Sequence, residues 1–200
     1  MIRCEEVATH AAFRALGAVS GVEVDLRYAT THNFAGRVLY EGMDCAWVRV
    51  EAATGLERAA QWLSQHRPGY RLRVLDALRP QRIQEAIWRD VAGTPAQAYF
   101  ADPARGSIHS YGMAVDITLV DASGQECDMG SGYDEMSIRS HPSHDARHLA
   151  LGLLSVAQLT ERGWLHAAMA HGGFTGIPNE WWHFDWGDRD QVRRECPLVI

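Results

Sequence analysis

The sequence predicts a single α+β domain over residues 1–200, and three observations carry that expectation. Strand-like and helix-like segments are interspersed at irregular intervals, no repeat or low-complexity linker divides the chain, and the composition suits a packed core. Hydrophobic residues make up 46% and charged residues 22%, which excludes disordered and fibrous classes.

VEVDLRYAT, Val22 to Thr30, alternates apolar and polar side chains and reads as an early strand; Gly36 and Gly42 bracket a second short one in NFAGRVLYEG. From Thr54, a fitting N-cap, Leu56, Ala59, Ala60 and Leu63 recur at helical spacing until Pro68-Gly69 ends the run. RLRVLDAL is then a strand that stops at Arg79-Pro80. Pro80 suits the first turn of a helix, whose apolar face is Ile83, Ile87 and Val91 and whose end is Gly93-Thr94-Pro95. SIHSYGMAVDITLVD, Ser107 to Asp121, reads as a loop feeding a buried strand. A second long helix, roughly Asp145 to Glu161, places Leu149, Leu153, Val156 and Leu159 on one face, with Gly163 beyond its end. EWWHFDW, Glu180 to Trp186, is the last strand. The segment between Val120 and His144, rich in Gly, Ser, Asp and His, is long for a plain connection and is a candidate functional loop.

A formal charge of −6 and a pI near 5.9 leave no basic excess to neutralise phosphates, so neither nucleic acid nor an anionic membrane is the expected partner. No apolar run is long enough to span a bilayer, and MIRCEEVATHAAFRALG lacks the layout of an export signal, so the expected location is cytoplasmic. Cys4, Cys45, Cys127 and Cys196 are scattered without a C-x-x-C pair and read as reduced thiols.

Asp116 is the residue that needs explaining. A carboxylate on an apolar strand costs several kcal/mol to bury unless it is paired or bound to a cation. His109 lies close by in sequence, and imidazole with carboxylate is a metal-ligand combination; a catalytic zinc takes three protein ligands and leaves a place for water. Gly112 and Ala114 between them are expected to permit a close turn and clear space for a metal. The best third ligand is His183, because Glu180 precedes it by three residues and can act as general base. Strict alternation would place Glu180 and His183 on opposite faces, so either Glu180 sits in the turn at Pro178-Asn179 or a bulge intervenes.

Alone, each half is ordinary, since a lone histidine beside an apolar strand is usually structural. Together, S-x-H-x-x-x-G-x-A-x-D and the downstream E-W-W-H resemble the zinc D-alanyl-D-alanine peptidases, which share their fold with the zinc-binding signalling domain of Hedgehog. RYATTHNFAG, LDALRP and MGSGYDEMSIRSH narrow the resemblance to the VanX-type D-alanyl-D-alanine dipeptidases, in family order from about Arg27 to His183. The resemblance implies a mainly antiparallel central sheet flanked by helices, and one Zn²⁺ per chain on His109, Asp116 and His183. It also implies that Glu180 shuttles the proton of a metal-activated water and that Arg79 stabilises the oxyanion. Asp134 is the expected partner of the substrate ammonium, with Ser107 and Tyr28 lining the pocket. A small dipeptide is the expected substrate, with room left for a homo-oligomer.

The chain departs from the dipeptidase pattern at Ala77-Leu78, where a glycine and an aromatic are usual, and at Ser137 and Ile138, where acidic residues can follow. The rival expectations are a D-Ala-D-Ala carboxypeptidase, an L-alanyl-D-glutamate endopeptidase, and a zinc-stabilised binding module without catalysis. His144 and His148 lie four apart but lack the glutamate of an H-E-x-x-H site and read as a solvated helix start; His141, His166 and His171 read as surface residues. Trp62, Trp88 and Trp164 read as core, and Trp181 and Trp182 either as core or as pocket wall.

Overall fold

In the computed structural model, which describes all of residues 1–200, the chain forms seven strands and five α-helices joined by short 3-10 turns. In order these are β1 (Phe13–Ala15), β2 (Val22–Val24), β3 (Trp47–Arg49), α1 (Val50–His66), β4 (Arg71–Asp76) and α2 (Gln81–Val91). After them come β5 (Ala114–Val120), α3 (Asp145–Ala150), α4 (Val156–Gly172), β6 (Phe174–Ile177), β7 (Glu180–Trp186) and α5 (Arg189–Glu195).

Five strands make the central sheet, in the order β2-β4-β5-β7-β6. All its pairings are antiparallel except β2 with β4, where α1 supplies the crossover that parallel strands require. β5 lies at the centre with every residue buried, which is why its sequence is nearly continuous in apolar, β-branched side chains. One face of the sheet, with Val115, Ile117 and Leu119, packs against Leu56, Leu63, Leu165 and Met169 of α1 and α4. These two helices approach closely because both carry glycine at the crossing: a Cβ on Gly55 would meet Gly172 O at 2.8 Å. Alternation along β5 sends Asp116 to the other face, which carries the site.

Several expected elements differ. The region around NFAGRVLYEG forms turns rather than a strand, organised by Asn33, whose Nδ2 donates to the carbonyls of Arg27, Thr30 and Arg37. α1 begins at Val50, and Thr54 is inside it, donating its hydroxyl to Val50 O. The single helix expected over Asp145 to Glu161 is two helices, broken at Gly152 with φ of +68°. Ser155 and Gln158 then form a capping box that starts α4, which runs past Gly163 to Gly172. The stripe of Leu149, Leu153 and Val156 is consequently exposed, and the buried face of α4 is Arg162, Leu165, Ala168 and Met169.

Candidate metal centre and active site

Cross-strand register sets the first pair of site residues. β4, β5 and β7 place Asp76, Asp116 and His183 side by side, with Asp116 paired to Asp76 on one side and to His183 on the other. His109 arrives from the 3-10 turn Ile108–Tyr111, which Gly112 ends at φ of +70°. A Cβ on Gly112 would strike the Phe13 ring at 2.7 Å, so this glycine serves the turn and that packing rather than clearing space for a metal.

Three donor atoms converge. His183 Nδ1 lies 3.0 Å from Asp116 Oδ1, His109 Nε2 lies 3.3 Å from the same oxygen, and the two nitrogens are 3.1 Å apart. Ligands bound tetrahedrally at about 2.0–2.1 Å are separated by about 3.3 Å, so the triangle fits a zinc-sized ion. The outer nitrogens assign the tautomers: His109 Nδ1 donates to Ala77 O at 2.7 Å, and His183 Nε2 donates to Asp185 Oδ1 at 2.9 Å. Both inner nitrogens are therefore left with lone pairs facing a carboxylate, an arrangement that calls for a cation between them. Without a metal that cation can only be a proton. Burial opposes charge on His183, but Asp185 and Asp116 overcome it and push its pKa up to about 10. Burial alone would raise Asp116, and the histidines, His109 foremost, hold it below the usual carboxylate range instead.

Asp116 Oδ2 points away from the triangle and accepts from Tyr133 Oη at 3.1 Å and from Arg79 Nη2 at 3.4 Å. Arg79 is buried and pinned: Nε and Nη2 donate to Asp76 Oδ2 at 2.9 and 2.7 Å, and Nη1 donates to Gln84 Oε1 at 3.1 Å. Glu180 lies with its Oε2 4.0 Å from His183 Nδ1, and burial pushes its carboxyl up to about 7, against the pull of His183. The alternation problem is solved by an irregularity in the hairpin. Gly176 pairs with Phe184 while Ile177 pairs with Glu180, so Trp181, Trp182 and His183 all fall between successive positions of β6. Both Glu180 and His183 therefore reach the same cavity.

Residues 11–199 match the family model described as D-ala-D-ala dipeptidase, of the M15 peptidases. A D-alanyl-D-alanine dipeptidase of Escherichia coli (strain K12) is 37% identical over 164 residues, covering 82% of this chain and 78% of that protein. The chain belongs to the D-Ala-D-Ala dipeptidase family. A dipeptidase of the same name from Synechocystis sp. (strain ATCC 27184 / PCC 6803 / Kazusa) is 32% identical over 183 residues, covering 75% of this chain and 73% of that protein. In fold, the dipeptidase-family chain is similar to a solved LdcB LD-carboxypeptidase. Its TM-score is 0.51 and its identity 16%, over 96% of this chain and 80% of that one.

The donor triangle opens into a cavity of about 210 Å³, which gathers all eight site residues singled out in the sequence: Tyr28, Arg79, Ser107, His109, Asp116, Asp134, Glu180 and His183. That volume is below the roughly 300–1,000 Å³ typical of drug-sized ligands and suits a small one. Asp134 stands at a φ of +57°, the one non-glycine residue with a left-handed backbone. Its Oδ2 accepts from Phe34 N at 3.3 Å and its Oδ1 from Tyr28 Oη at 3.5 Å. Burial, with Asp116 adding to it, pushes the Asp134 carboxyl well above its ordinary range. Trp182 lines the cavity, whereas Trp181 turns away and donates its indole N–H to Ser131 Oγ at 3.0 Å.

Asp76, Gln84, Tyr133 and Asp185 escaped the sequence reading although they bond directly to site residues. Two left a trace: Asp76 lies three residues before Arg79, and Asp185 lies two after His183, on the same face of its strand. His148 is buried rather than solvated, and His144 is half-buried.

Proposed function

We propose that the protein is a zinc-dependent D-alanyl-D-alanine dipeptidase. The observation that carries this reading is the convergence of one potential ligand atom each from His109, Asp116 and His183 beside a buried glutamate, in a chain of the dipeptidase family. Held by His109 Nε2, Asp116 Oδ1 and His183 Nδ1, Zn²⁺ would polarise the scissile carbonyl and acidify a water beside it. Glu180 takes a proton from the attacking water and passes it to the departing amine. A carboxyl lifted by burial to about 7 is suited to both transfers at neutral pH.

Arg79 cannot lose its charge, and its contacts with Asp76 and Gln84 fix the guanidinium in place before the reaction. A donor held in advance stabilises the oxyanion without reorganising when charge develops. Asp134 receives the substrate ammonium. Burial pushes its carboxyl toward the neutral form, and an arriving cation would favour the anion and so form a charge-assisted pair. Ser107 and Tyr28 hydrogen-bond the remainder of the dipeptide.

We place the enzyme in the cytoplasm, acting on free dipeptide in peptidoglycan precursor turnover or salvage. The free thiols support that location, and no helix is long and apolar enough to cross a membrane. The test is the rate of D-alanine release from free D-Ala-D-Ala against that from a muramyl pentapeptide. The dipeptide is expected to be strongly preferred. Preference for the pentapeptide would assign a D-Ala-D-Ala carboxypeptidase instead, and internal cleavage of it an L-alanyl-D-glutamate endopeptidase. Zinc binding with no hydrolysis of either would leave a binding module.

A further inference from the structure

The two histidines at the centre are supported unequally. His109 gives its outer N–H to a neutral main-chain carbonyl, Ala77 O, whereas His183 gives its own to the Asp185 carboxylate. Asp185 is buried in the central sheet, paired through its backbone with Ala114 on β5 and Thr175 on β6, so its side chain has little freedom. Its second oxygen accepts from Arg189 at 2.5 Å. Arg189 is placed by the turn at Gly187 and by Asp188, which caps α5 through Gln191 N at 2.8 Å.

We propose that Asp185, oriented by Arg189, is a positioning residue that makes His183 a metal ligand through Nδ1. The role rests on the zinc reading above and extends it to a residue outside the set of three ligands. An imidazole presents Nδ1 as a lone pair only while its proton sits on Nε2, and an anionic acceptor at 2.9 Å holds it there. The same carboxylate adds negative charge beside a ligand set whose only anion is Asp116, which makes His183 the stronger donor. Arg189 gives Asp185 a counter-charge at its far oxygen, and because half of the arginine side chain is exposed, that support comes from the protein surface. A chain of contacts thus runs from the first turn of α5 to the metal.

Asp185→Asn preserves size but offers an amide that can donate to Nε2, which would move the imidazole proton to Nδ1, where the metal must bind. The test is zinc affinity by chelator competition, with the visible spectrum of the Co²⁺-loaded protein as a second readout. Wild type, Asp185→Asn and Arg189→Ala are compared, each verified as folded in the metal-free form by circular dichroism. The expected result is a 10- to 100-fold loss of zinc affinity for Asp185→Asn, with a displaced Co²⁺ band, roughly the range seen when outer partners of metal ligands are removed. A smaller, several-fold loss is expected for the surface variant Arg189→Ala, which supplies the test should Asp185→Asn not fold. Affinities within twofold of wild type and an unchanged Co²⁺ band would overturn the role. Failure of the wild type to bind zinc would instead overturn the metal site itself.

Discussion

His109 and His183 on one hand, and His141, His144 and His148 on the other, show two ways a chain can crowd imidazoles together. The second group is the denser in sequence, with the i, i+4 spacing of helical metal sites, and its rings pack at centroid distances of 5.5 and 5.9 Å. Its ring nitrogens nevertheless do not converge with a third donor atom, and His141 spends Nε2 on the Tyr99 hydroxyl at 3.0 Å. His148 is buried with neither nitrogen bonded, and burial pulls its pKa below the usual value, toward the neutral ring. The first group spans a long stretch of sequence, yet its outer nitrogens are committed and its inner ones face a shared carboxylate. Spacing along the chain is thus a poor guide to a metal site; disposition of the outer protons and a converging anion decide it.

Removing a member of the first group should have the largest effect. His183→Ala is expected to reduce metal content from one ion per chain to near zero and to lower turnover by at least about 10³-fold, because ligand and activated water are lost together. Metal analysis of the purified variant checks the first part and a D-alanine assay the second. Glu180→Ala separates chemistry from binding: turnover should fall by about 10²- to 10⁴-fold while metal content stays at one. Arg79→Ala should cost about 10²- to 10³-fold in kcat with the metal retained. It should also lower the melting temperature, since Asp76 would be left as a buried anion without its cation. The smallest effect is expected from His148→Ala, with metal stoichiometry and turnover within about twofold of wild type. A second ion lost with His148 would erase the contrast between the two groups.

Much of this was legible in the sequence, for identifiable reasons. β4, β5 and α2 carry long apolar patterns closed by proline or glycine, and those signals act locally. β1 and β3 span three residues each, too few for any periodicity, and exist because they pair with one another. The leucines after His148 misled because apolar spacing does not reveal which face the rest of the protein covers. The Ser155-Gln158 capping box was the better signal for the start of α4. At the site, His109, Asp116, Glu180 and His183 stood out as motif residues that a strand or loop does not otherwise need. Asp76 and Asp185 did not, because nothing local sets them apart from ordinary strand carboxylates: register places Asp76 beside Asp116, and the bonds of Asp76 to Arg79 and of Asp185 to His183 and Arg189 appear only in the folded chain.

The most direct test of the account is a titration of the chelator-treated protein with Zn²⁺ while D-alanine release from D-Ala-D-Ala is followed. Activity should be absent at the start, rise in proportion to added metal, and break sharply at one equivalent per chain. Full activity without metal, or a break at two equivalents, would contradict a single catalytic ion held by His109, Asp116 and His183.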